Sequence, residues 1–133
     1  MATPQIKYYV YVIGLRPEVM LEKEFREWNP QYREGKSCYY VGSSYLKPEE
    51  RYKIHCEKIP TTKGKKQYNK WVYKYHDGLR HGKYKNLPVY DSREEAEEAE
   101  KQKAWSLRNR GHAVWTDKAF MKEFMKKESN ELP

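Results

Sequence analysis

Cysteine is nearly absent. Cys38 and Cys56 are the only two, and neither lies in a metal-ligand spacing, which excludes a zinc module or a disulfide scaffold and leaves two reduced thiols. No apolar run approaches membrane-spanning length, and the opening MATPQIK lacks a signal-peptide pattern. A cytoplasmic protein with no membrane association is therefore expected. No helix-turn-helix signature or long basic linker extends the chain, so weak or short sequence preference is expected of any nucleic-acid reader built on it. Apolar residues make up only 38% of the sequence, and many of them are among its 13 tyrosines. A single compact domain with aromatics at the rim of its core follows for 133 residues.

Positive charge, by contrast, is abundant and local. The net charge is +8, and the segment from Lys47 to Lys85 alone carries twelve Lys/Arg against four Asp/Glu. A basic, aromatic-interleaved centre suits a polyanionic partner, nucleic acid above all; a solvated lysine-rich surface is the alternative.

The chain is organised around residues 38–56. Cys38 to Val41 read as a strand, and Gly42 as a sharp bend. Pro48 suits the first turn of a helix, with Glu49 and Glu50 favoured by its dipole. Arg51 and His55 then share one helix face. A tyrosine-bearing strand beside a helix presenting Arg and His is a phosphate-handling arrangement.

Upstream, Ile6 to Leu15 reads as a central strand covered on both faces and ended by Gly14 and Arg16-Pro17. Residues 18–32 predict a short amphipathic helix ending before Asn29-Pro30. Downstream, residues 58–67 read as a basic loop and residues 68–75 as a short helix. Lys66, Lys70 and Lys74 form a basic stripe along it, and with Lys63 and Lys65 they are candidate phosphate-backbone contacts. Residues 78–88 read as a loop, with Val89-Tyr90 as the remnant of an edge strand. His76, His81 and His112 are expected in loops, exposed or phosphate-contacting at best.

Ser92-Arg93-Glu94-Glu95 is a capping box opening a helix that should run to about Arg110 and close on Gly111. Its apolar stripe is Ala96, Ala104 and Leu107, and Glu100 lies inside that stripe while Glu94, Glu95, Glu97 and Glu98 lie outside it. A core-facing carboxylate is costly unless it is paired or holds a cation. A structural salt bridge is the alternative reading. Trp105 should pack under the C-terminal segment. Residues 118–127 predict an amphipathic helix covering the sheet, and Glu128 to Pro133 a disordered tail.

Several of these stretches together resemble the GIY-YIG nuclease superfamily, in particular its small stand-alone members. Tyr9-Val10-Tyr11-Val12-Ile13 is similar to the GIY half of the signature, with Tyr9 where the eponymous glycine stands. Tyr40-Val41-Gly42 followed by Pro48-Glu49-Glu50-Arg51 and His55 is similar to the second half. Asn69-x-x-Val72, Ala96-x-x-x-Glu100 and Leu107-Arg108-x-x-Gly111-x-x-Val114 continue the order, so the resemblance spans about Tyr9 to Trp115.

It implies an α/β (α+β) fold, with a small, mainly antiparallel three-stranded sheet flanked by helices. The catalytic core would cover about residues 6–115, with a C-terminal helix and tail at 116–133. It further implies a divalent-metal-dependent endonuclease acting on DNA, with a single Mg²⁺ or Mn²⁺ on Glu100 and no small-molecule cofactor. Arg51 would donate to phosphate oxygens, and Tyr11 would activate water with help from Tyr40 and His55. One metal site implies one cut strand per domain, in a monomer or a homodimer. A catalytically inactive or RNA-directed nucleic-acid-binding module of the same fold is the alternative.

Overall fold

The computed structural model describes residues 5–131. The first four residues of the opening segment, and the end of the expected tail at 132–133, lie outside the described residues. The architecture is mixed α+β, and its centre is a four-stranded sheet in the order β3-β1-β2-β4.

The β-branched and aromatic run forms β1, Tyr9–Leu15, buried from its second residue onward as a covered central strand requires. The strand runs through Gly14 to Leu15 rather than stopping at the glycine. It pairs antiparallel with β2, Cys38–Ser44, in a register that sets Tyr11 opposite Gly42 and Ile13 opposite Tyr40. On its other side β1 takes β3, His76–Leu79, also antiparallel, with an irregularity between Ile13 and Leu15.

The expected mainly antiparallel, three-stranded sheet is corrected here to four strands with one parallel pairing. The fourth strand, β4, Ala113–Trp115, lies parallel to β2, with Cys38 opposite Ala113 and Tyr40 opposite Trp115. A parallel neighbour requires a crossover, and the long helix supplies it. The segment read as a plain loop after residue 78 holds the end of β3 and a 3-10 turn at His81–Lys83. Tyr90 forms a single antiparallel bridge to Tyr8, the remnant edge pairing expected at Val89-Tyr90.

Residues 17–27 form a 3-10 turn, Pro17–Leu21, and then α1, Lys23–Glu27, shorter than one continuous amphipathic helix. Helix α2, Pro48–Glu57, opens on its proline. Helix α3, Lys70–Tyr75, is capped by Asn69, whose side chain accepts from the Trp71 and Val72 amides. Helix α4, Arg93–Asn109, is capped by Ser92 Oγ accepting the Glu95 amide, as the capping box predicts, and Gly111 closes it at φ +90°.

Side-chain alternation divides the sheet into two faces. Tyr11, Ile13, Tyr40 and Gly42 share one face with Trp115, which stacks on Phe25 of α1 and meets Trp71 of α3 edge-on. Val41, Ser43 and Val114 point the other way, toward α4, whose Ala96, Ala104 and Leu107 are buried.

The last helix, α5, Lys118–Glu131, replaces the expected disorder over residues 128–131. It packs on α4, with the tilted Phe124 and Trp105 rings 5.1 Å apart and Arg108 of α4 donating to Glu128, and its first residue, Lys118, lies over the Trp115 ring of β4. Among the described residues no helix is long and apolar enough to cross a membrane.

Candidate active site

Tyr11 is 1% exposed, and its ring passes directly over the partner strand. A Cβ at Gly42 would lie 2.6 Å from Tyr11 Oη, so only glycine fits opposite this tyrosine. Gly42 therefore stays within β2 and makes room, instead of turning the chain as the sequence suggested. The half-buried Tyr40 ring sits 6.3 Å from Tyr11, and both rings flank His55, at 5.4 Å for Tyr40 and 6.4 Å for Tyr11.

His55 is 1% exposed, the single buried residue of α2. Its tautomer is fixed by the turn that starts α3. The Asn69 amide donates to His55 Nδ1 at 2.9 Å, so Nε2 carries the proton and points it at Tyr11 Oη, 3.3 Å away. Burial, with the nearby Arg51 charge, lowers the imidazole pKa to about 3. A neutral ring with its basic nitrogen occupied is a donor to Tyr11. His55 thus positions the phenol and has no free lone pair with which to take a proton from water.

Burial raises the Tyr11 pKa well above the ordinary phenol value, opposed by the Arg51 charge and reinforced by that of Glu100. Tyr40 is raised for the same first reason, and the Tyr11 and Glu100 charges add to it. Both tyrosines therefore sense a cation from α2 and a carboxylate from α4.

Glu100 reaches the site from the other face of the sheet. It is 6% exposed, and each carboxylate oxygen accepts a hydroxyl, Oε1 from Ser43 and Oε2 from Thr116, both at 2.6 Å. No Lys, Arg or His lies within 4.0 Å of it among the described residues, which removes the salt-bridge reading. Burial holds its carboxyl up at about 7, and the Asp117 charge adds to the rise. Because β4 stops opposite Tyr40, β2 has no ladder partner on that side from Val41 onward.

The donor set suits a hard divalent cation. Among the described residues no three His, Cys, Asp or Glu side chains gather into a ligand group, and the carboxylate whose charge Glu100 senses is that of Asp117. Mg²⁺ commonly takes one or two carboxylates and fills its shell with water and substrate phosphate oxygens. A buried carboxylate without a counter-charge, oriented by two hydroxyls, fits that role.

Arg51 lines a cleft of about 200 Å³ with Ser43, Ser44, Tyr45, Gln67 and Arg93. The candidate lysines divide. Lys63, Lys65 and Lys66 are exposed on the loop before α3, with Lys66 over the Tyr68 ring. Lys70 instead pairs with Glu24 at 2.6 Å and Lys74 with Glu22 at 3.8 Å, so the far end of the stripe is spent on the acidic α1 segment.

The loop histidines also differ from expectation. His81 is exposed, but half-buried His76 bonds the Val72 carbonyl, and His112 Nδ1 accepts the Ser37 amide. Ser43, Thr116 and Arg93 are site residues that the sequence reading missed. Ser43 was within reach, since strand alternation puts it on the face opposite Tyr40. No family model, curated protein or solved structure matches this chain, so the site's geometry carries the functional reading.

Proposed function

We propose that this protein is a metal-dependent nuclease that hydrolyses DNA phosphodiesters with a site of GIY-YIG type. The observation that carries the reading is Glu100: a buried carboxylate without a cationic partner, held by two hydroxyls, whose charge reaches the same tyrosines as that of Arg51. A structural carboxylate this deep normally comes with a counter-charge.

Within this reading each side chain has a task. Glu100 would hold a divalent ion, Mg²⁺ or Mn²⁺, which would supply Lewis-acid polarisation of the phosphate. Arg51 binds the phosphate with its planar fork and orients the phosphorus for in-line attack. Tyr11, as the phenolate left once its own proton is lost to solvent, takes a proton from the attacking water as the new P–O bond forms, while the bond from phosphorus to the leaving sugar oxygen breaks with its electron pair on that oxygen. Arg51 and the His55 Nε2–H stabilise that phenolate, while burial opposes them. Tyr40 closes the aromatic side of the site and limits water around Tyr11. Ser43 and Thr116 keep the Glu100 carboxylate in one orientation.

The test is to incubate the protein with supercoiled plasmid and with single-stranded DNA, in Mg²⁺, in Mn²⁺ and in chelator. Nicked or linear products that need the metal are expected. No cleavage of either substrate in either metal would remove the enzyme reading and leave a nucleic-acid-binding module of this fold.

A further inference from the structure

Four of the eight arginines give their guanidinium groups to internal hydrogen bonds. Arg16 donates to the Lys74 carbonyl, Arg26 to the Met20 and Leu21 carbonyls, Arg80 to Asp77 and Arg108 to Glu128. Arg51 on α2, beside Tyr11, and Arg93 in the first turn of α4, over the Tyr8 ring at 5.4 Å, come from distant parts of the sequence to line one cleft with Ser43 and Ser44. Neither has a carboxylate within 4.0 Å among the described residues. An anion in the cleft would be attracted by both charges, and no carboxylate competes with it. At its rim stands Tyr45, 60% exposed, one of the few large apolar side chains the fold leaves in water.

One ligand satisfies all three features: a nucleotide flanked by two phosphates. We infer that the cleft is a subsite for the nucleotide next to the scissile bond, with Arg51 on the scissile phosphate, Arg93 on the following phosphate of the same strand, and Tyr45 stacked on the base between them. The inference rests on the nuclease reading and adds a substrate class to it. A base lying on Tyr45 is out of its duplex stack, so the preferred substrate is single-stranded or frayed at that nucleotide. Sequence-independent stacking on an exposed aromatic beside cationic side chains is how single strands are held without base readout.

Arg93 and Tyr45 are both exposed, so their substitution leaves the core intact. The experiment measures binding in chelator, by fluorescence anisotropy. The probes are a labelled single-stranded oligothymidylate, the same strand with abasic sites, and a blunt duplex of equal length. The parent should bind the thymidylate about tenfold more tightly than the abasic strand. Tyr45→Ala should erase that difference and Tyr45→Phe keep it. Arg93→Gln should weaken both strands and lower the salt slope by about 0.7.

Thymidine 3′,5′-bisphosphate should compete at concentrations where inorganic phosphate does not; equal competition would make the cleft a free-anion site and overturn the proposal. A parent that binds DNA while Arg93→Gln and Tyr45→Ala bind identically overturns the subsite alone. A parent that binds no DNA overturns the subsite and the nuclease reading together.

Discussion

Two charged side chains are buried on α4 about two turns apart, and their surroundings are opposite. Arg108 is 1% exposed and fully partnered: it donates to both oxygens of Glu128 at 2.9 and 3.0 Å, to the Trp28 carbonyl at 2.9 Å and to Asn29 Oδ1 at 3.0 Å. Glu100 is 6% exposed and meets no cation: its oxygens accept from the Ser43 and Thr116 hydroxyls, with the Asp117 backbone and charge close by. The first charge ties α4 to α5 and to the end of α1, and it is neutralised where it lies. The second has its desolvation cost only partly offset, by hydrogen bonds and no counter-charge, which suits the proposed cation. Burial of a charge thus carries no functional meaning by itself; the proposed function rests on the missing counter-charge.

The contrast breaks first at Glu100→Gln. Removal of the carboxylate should lower cleavage by roughly three orders of magnitude, the several kcal/mol of charge stabilisation that a bound metal supplies. The fold should be kept, since the amide still accepts a hydroxyl through its remaining oxygen. Plasmid nicking and thermal melting measure the two quantities separately, and Glu97→Gln, on the exposed face, should behave as the parent. A Glu100→Gln protein that unfolds, or one that still cuts, would put Glu100 in the same class as Arg108.

Arg108→Gln should do the reverse. It strands Glu128 and leaves Asn29 and the Trp28 carbonyl without their donor, so it should destabilise by about 3–5 kcal/mol in chemical denaturation. Its cleavage rate per folded molecule should match the parent at a temperature where both are folded. A selective loss of rate would mean that Arg108 acts on the site through α4.

The pH dependence of stability sharpens the same comparison. Folding raises the Glu100 pKa from 4.5 to about 7, so the folded state holds that proton more tightly. The associated stability is present below pH 4.5 and lost as pH rises through about 7, an effect of roughly 3 kcal/mol. Folding lowers the His55 pKa from 6.5 to about 3, so its contribution is present above pH 6.5 and lost as pH falls toward 3. In chelator, Glu100→Gln should therefore flatten the upper limb of a melting-temperature profile and leave the acid limb unchanged. Disappearance of the acid limb instead would move the dominant titration away from His55.

Glu100 was legible in the sequence because it depends on one element. The capping box fixes the start of α4, helical periodicity fixes which residues face inward, and one of five glutamates falls on that face. The role of Arg108 was not legible: its partner is twenty residues away on a different helix, and an amphipathic pattern shows which face of α5 turns inward without showing which charges meet there. His55 was marked by its spacing from Arg51, but its tautomer depends on the Asn69 amide, set by tertiary packing. Strands β3 and β4, at four and three residues, are too short for alternation to register, and β4 exists because β2 offers it a parallel edge. Gly42 invited a turn because glycine usually marks one; its cause is a ring on the neighbouring strand.

The smallest expected effect concerns the lysines, where the same distinction between paired and unpaired charge applies at the surface. Lys63 and Lys65 have no carboxylate within 4.0 Å among the described residues, whereas Lys70 and Lys74 lie against Glu24 and Glu22. A lysine already neutralised by a carboxylate releases no counterion from DNA, and a free one does. Lys63→Gln with Lys65→Gln should therefore lower the slope of log affinity against log salt by about 0.9 for each duplex phosphate left unneutralised. Lys70→Gln with Lys74→Gln should leave the slope unchanged and alter stability by no more than about 1 kcal/mol, the range of exposed ion pairs. The opposite result, a slope that responds to Lys70 and Lys74 alone, would show that these lysines exchange their carboxylates for phosphates on binding. The nucleic acid would then run along α3 and the acidic α1 segment, away from the loop that precedes them.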